Sequence, residues 1–81
     1  MNQDKKEAIR AGIEKAIGGL PYVFRQSELR RKLDGISPGG LGNLDAAGKG
    51  PGCLILVGRK AAYPADAYVE WLVGRITEAS K

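Results

Sequence analysis

The stretch "ISPGGLGNLDAAGKGPG", residues 36–52, decides how this chain is read. It holds half of the twelve glycines, yet Ile36, Leu41 and Leu44 stand at roughly helical intervals within it. A linker, a phosphate-binding loop and a helix are the three candidates. The P-loop reading fails, because that motif needs Gly, four residues and then Gly-Lys-Ser/Thr, whereas Asn43 holds the first position and Gly50 follows Lys49. A dinucleotide fingerprint fails too, since no buried strand runs directly into these glycines. The helix reading has positive signals. Ser37 is a good N-cap and Pro38 is favoured at the first helical position. A helix from Pro38 to about Ala47 puts Leu41 and Leu44 on one side and Gly39, Gly42, Asn43 and Ala46 on the other. Each internal glycine costs about 1 kcal/mol relative to alanine, so such a helix persists only if Leu41 and Leu44 dock on a core. Gly48 then stops it, and Pro51 forbids its continuation.

Working outward, "SELRRKLDG" (residues 27–35) predicts a short helix with Ser27 as N-cap and Gly35 as stop. Leu29 and Leu33 form its inner face, and Arg30, Arg31 and Lys32 are expected outward. "LPYVF" before it is a short extended segment. "DKKEAIRAGIEKAIGG" predicts an N-terminal helix over residues 4–18, with Asp4 as cap, Glu7 completing a capping box, and Ile9, Ile13, Ala16 and Ile17 on one face. That helix covers the core or, alternatively, makes a dimer contact. On the other side, "CLILVGRKAAYP" predicts two strands around a turn, with Cys53 buried and Arg59 and Lys60 projecting from the tip. "ADAYVEWLVGRI" predicts a last helix, with Tyr68, Trp71, Leu72 and Ile76 inward and Trp71 as an anchor.

At 81 residues the chain is expected to form one domain with a small core. A single cysteine and no histidine rule out an internal disulfide and histidine-dependent triads, and they weigh against a zinc site. No pair of carboxylates stands out for acid–base work, so neither an enzyme nor a cofactor is expected. No apolar run is long enough for a membrane span, and the charged start lacks a signal-peptide core, which makes the cytoplasm the default location. The net charge is +4, and the excess of Lys and Arg falls in the first two thirds of the chain. A mild basic bias fits a nucleic-acid partner.

The expected order is helix, short strand, short helix, turn, helix, β-hairpin, helix. The fold class is therefore α+β, mainly α with a small hairpin wing: a winged helix-turn-helix over residues 22–73 with an extra N-terminal helix. In "SELRRKLDGISPGGLGNLDAAGKGP", "VGRKAAYP" and "ADAYVEWL" the chain resembles the excisionase-type and AlpA-type phage regulators, whose winged helix-turn-helix is related to the MerR group. Gly48-Lys49-Gly50-Pro51, Gly58-Arg59-Lys60, Tyr63 and Trp71-Leu72 match that family's pattern in order. The resemblance implies a non-catalytic protein that binds double-stranded DNA, as an excisionase or a transcriptional regulator, partnered by itself or by an integrase.

Carried over, the recognition helix falls on about Pro38–Ala47 and the wing tip on Gly58–Lys60. Ser37, Gly39 and Gly40 would meet a phosphate at the helix start, where unpaired amides point outward. Asn43 would pair with a base edge. Arg30, Arg31 and Lys49 would reach flanking phosphates, and Arg59 and Lys60 the backbone or minor groove. Family recognition helices present several polar or basic side chains; here Asn43 is the only one on the outward face. That bareness keeps a second reading open: a protein-interaction module on the same scaffold, without DNA readout.

Overall fold

The computed structural model describes residues 3–76. It is a small α+β domain of four helices and a three-stranded antiparallel sheet, an arrangement compatible with a winged helix. In chain order the elements are α1 (Gln3–Ile17), β1 (Tyr22–Phe24), α2 (Glu28–Asp34), α3 (Pro38–Ala46), β2 (Ile55–Val57), β3 (Lys60–Pro64) and α4 (Ala65–Arg75).

The glycine-rich stretch is a helix followed by a loop. Ser37 Oγ accepts the Gly40 N–H at 3.0 Å, Pro38 opens the first turn, and Gly48 takes a φ of +76° just past the end. Leu41 is wholly buried, and Ile36 and Leu44 pack half-buried beside it. Burial of one leucine contributes about 1.5–3 kcal/mol. That is comparable to the combined cost of Gly39, Gly40 and Gly42, so α3 holds its shape by docking rather than by propensity. Ser27 caps α2 in the same way, and Gly35 leaves it in the left-handed conformation, its N–H bonded to the Arg31 carbonyl at 2.7 Å. Helix, three-residue turn and capped helix thus follow one another as the spacing predicts.

Strand β1 joins the sheet, which the sequence left as an isolated extended segment. The order is β1-β3-β2, with Val23 opposite Tyr63 and Leu56 opposite Ala61. The central strand β3 buries Ala62 and Tyr63. The β2–β3 loop has two residues, and only the first, Gly58, has a positive φ, the pattern of a type II′ turn. Lys60 therefore begins β3 rather than sitting in the turn. Helix α4 starts with its Ala65 N–H bonded to the Pro21 carbonyl, which fixes it over β1. Its buried face is Tyr68, Val69, Leu72 and Val73, and α1 packs against it through Ile13 and Ile17.

Four expectations are corrected. Asp4 lies inside α1, which begins at Gln3, so it is not the cap. Trp71 is half-buried at the rim of the core, because Val69 and Val73 take the inner positions of α4. Cys53 is exposed, with a φ of 52°, since the chain is still turning there and β2 starts two residues later. Arg30 does not face outward; it is completely buried. The apolar neighbours of Cys53 are open as well, with Leu54 at 48%, Ile55 at 37% and Leu56 at 69% exposure.

Candidate functional site

Two polar networks set the geometry around α3. The first centres on Arg30 in α2. Its Nε donates to the Arg25 carbonyl at 2.8 Å, and its Nη1 to Asp34 at 2.7 Å and to the Ile36 carbonyl at 2.8 Å. Asp34 also accepts the Ile36 N–H and, at 2.7 Å, the Tyr68 hydroxyl. Burial, and then the bond to Asp34, push the Tyr68 hydroxyl well above the usual tyrosine range. The network clamps the chain where it leaves β1, where it turns between the helices, and where α4 passes. It fixes the angle at which α3 is presented, and it removes Arg30 from any surface.

The second network lies between α3 and the hairpin. Arg25, in the turn after β1, donates from Nε to the Tyr63 hydroxyl at 2.9 Å and from Nη2 to Asp45 of α3 at 2.7 Å. The Tyr63 hydroxyl donates to the same Asp45 oxygen. Burial raises the Tyr63 hydroxyl above its ordinary value, with the carboxylate bond acting in the same direction. The bond to Tyr63, supported by the one to Asp45, raises the Arg25 guanidinium. Gly50 makes room for this arrangement, and Gly42 borders it. A Cβ on Gly50 would collide with the Asp45 carboxylate, and one on Gly42 would stand 3.4 Å from Arg25 Nη1. Arg25 therefore lies along the flank of α3 on which Gly42 and Asp45 stand one turn apart.

Beside Arg25 opens a cavity of about 320 Å³, lined by Phe24, Arg25, Gln26, Arg59, Lys60 and Ala61. It collects three cations from two distant segments of chain. Lys60 Nζ also stands 5.9 Å from the centre of the Phe24 ring. The structure thus brings the expected wing residues Arg59 and Lys60 together with Arg25, which links them to α3.

The other expected residues are distributed along α3 and its neighbours. Gly39 and Asn43 are exposed on the outer face of α3. Ser37 and Gly40 stand at its start, but the Gly40 amide is already used by Ser37 Oγ, which leaves fewer open donors than an uncapped end. Gly40 is also crowded, since a Cβ there would approach Ile36 and Ser37 at 3.1 and 3.2 Å. Arg31 is exposed on α2 and stands 3.8 Å from Glu28. Lys49 is exposed in the loop after α3, and its carbonyl accepts the Trp71 indole N–H at 2.9 Å, tying that loop to α4.

Sequence reading missed Arg25, Phe24 and Gln26. A signal was present: a glycine and an aspartate at i and i+3 on one helix flank leave a space beside an anion, which a cation from elsewhere fills. Among the described residues no group of His, Cys, Asp and Glu side chains could hold a metal, and no helix is long and apolar enough to cross a membrane. No family model, curated protein or solved structure matches the chain.

Proposed function

We propose that this chain is a cytoplasmic DNA-binding protein of the phage or mobile-element type, acting as an excisionase beside an integrase or as a transcriptional regulator. The observation that carries the reading is the cavity where Arg25, bonded to Asp45 of α3, converges with Arg59 and Lys60. Cations gathered from separate segments onto one concave surface suit a polyanion. The glycines of α3 allow its backbone close to a groove floor, and Asn43 offers a donor and an acceptor to a base. Arg31 and Lys49 stand exposed for flanking phosphates. In this arrangement α3 enters the major groove and the hairpin follows the backbone.

A second reading, a protein-interaction module on the same scaffold, is favoured by the exposed Leu54, Ile55 and Leu56 of the sheet edge. Contiguous exposed apolar patches mark protein-interaction surfaces. Titration against duplex DNA at several salt concentrations separates the two. A DNA-binding protein making about four phosphate contacts shows log affinity falling against log salt with a slope near −3.6. The absence of measurable affinity at about 50 mM salt would dismiss the DNA reading in favour of the second.

A further inference from the structure

We propose that Arg25 reads a guanine in the target duplex, supplying from the β1–α2 turn the basic side chain that α3 itself lacks. The inference rests on the DNA reading above and names the base that site takes. The guanidinium has two usable forks. Its side fork, Nε with Nη2, is occupied by Tyr63 and Asp45 at 2.9 and 2.7 Å. Its end fork, Nη1 with the second Nη2 proton, has no acceptor among the described residues. That end keeps two parallel N–H groups, the geometry that matches O6 and N7 of guanine.

Three features direct this fork to a base rather than to the backbone. The side fork is held by two anchors, so the planar group is pre-organised and loses little freedom on binding. Nη1 lies over Gly42, in the second turn of α3 and next to the exposed Asn43. With α3 in a major groove, its N-terminal half, Gly42 included, stands over base edges. Finally, Asp45 holds a negative charge on the same guanidinium. The carboxylate offsets the charge of Arg25, so Arg59 and Lys60 carry the attraction to phosphate at this cavity and the Arg25 fork is left to neutral acceptors. The side chain is still about one quarter exposed.

The test begins with a preferred duplex selected by the parent protein from a randomised pool. Each guanine of that site is then replaced, one at a time, by 7-deazaguanine, which lacks the N7 acceptor. The parent is expected to lose roughly ten-fold in affinity at one guanine. Arg25→Lys, which keeps the charge but not the fork, should show less than about a two-fold difference there, with an unchanged salt slope. Tyr63→Phe keeps the ring and removes the hydroxyl that anchors Nε. It should blunt the same discrimination, and it decides the matter if Arg25→Lys does not fold.

Full sensitivity to 7-deazaguanine in both variants overturns the assignment. So does parent binding with no sensitive guanine, or an Arg25→Lys loss that is equal on all duplexes and flattens the salt slope, the mark of a phosphate contact. In each of those cases the protein still binds DNA, whereas no binding to any duplex removes the DNA reading as well.

Discussion

Arg30 and Asp34 stand one helical turn apart on α2, 2.7 Å from each other, with side chains at 0% and 1% exposure. Removing one member of a buried ion pair leaves the other charge uncompensated, which costs about 3–5 kcal/mol. Asp34→Ala should fall in that range, because it also strips acceptors from Tyr68 and the Ile36 N–H. For a domain of this size that is a large part of total stability. Urea unfolding followed by circular dichroism measures it, and a loss below about 1 kcal/mol would show that the clamp is not needed.

Stability should fall on the alkaline side. Tyr63 and Tyr68 both have hydroxyls raised above the ordinary tyrosine value of 10.0. Below pH 10 both states keep these protons. Above it the unfolded chain ionises first and binds fewer protons than the folded one, so the stabilisation is lost as pH rises. The slope is about 1.4 kcal/mol per pH unit for each such tyrosine. Tyr68→Phe should cost about 1 kcal/mol at neutral pH through the lost hydrogen bond, yet show a shallower alkaline decline. Unfolding curves at pH 8, 10 and 11 for parent and variant check the sign.

At the rim of the core, Trp71 packs against Tyr68 with ring centroids 5.8 Å apart, and the Arg75 guanidinium lies 5.1 Å from the centre of its ring. Because the ring is half-buried, Trp71→Ala should cost about 2–3 kcal/mol, below the 3–5 typical of a fully enclosed aromatic. Trp71→Phe keeps most of the packing and loses the bond to the Lys49 carbonyl, worth about 1 kcal/mol. A phenylalanine variant as unstable as the alanine one would make the hydrogen bond, rather than the ring, the dominant link between α4 and the loop after α3.

On the hairpin, replacing Arg59 and Lys60 together with alanine should weaken binding to all duplexes alike and flatten the salt slope by about one to two units. Asn43→Ala behaves differently if Asn43 meets a base. It should cost about 1–3 kcal/mol on the preferred duplex and little on random DNA. Fluorescence anisotropy on both duplexes at three salt concentrations distinguishes the roles. A slope unchanged by the hairpin variant would mean that the turn stays clear of the polyanion.

The helix boundaries were legible because their chemistry is local. Ser27, Ser37 and Pro38 announce starts, and Gly18, Gly35 and Gly48 announce stops, whatever the rest of the chain does. The expected helix-turn-helix and hairpin appear where the spacing put them. Burial was harder to read where tertiary partners decide it. Arg30 looked like a solvated cation because nothing in its own helix shows that Arg25, Ile36 and Tyr68 will enclose it. Cys53 looked buried because its apolar neighbours Leu54, Ile55 and Leu56 were visible and their sheet position was not: the same run in the central strand would be covered. Of the candidate site, the hairpin cations and the outer face of α3 were readable. Arg25 was not, because its partners Asp45 and Tyr63 lie 20 and 38 residues away along the chain.

The pairing of α1 with α4 has a consequence for how the molecule comes into being. Ile13 and Ile17 are made early, but their cover, Val69 and Val73, is made last among the described elements. Ribosomal synthesis proceeds at about 5–20 residues per second, so the growing chain carries the isoleucine stripe without its α4 cover for several seconds. The helix-turn-helix caps can form meanwhile, being local, while the ends of the domain meet only when the final helix emerges. Arg10 and Glu70, 2.6 Å apart, bridge the two helices across that seam, so this ion pair forms only after α4 has been made.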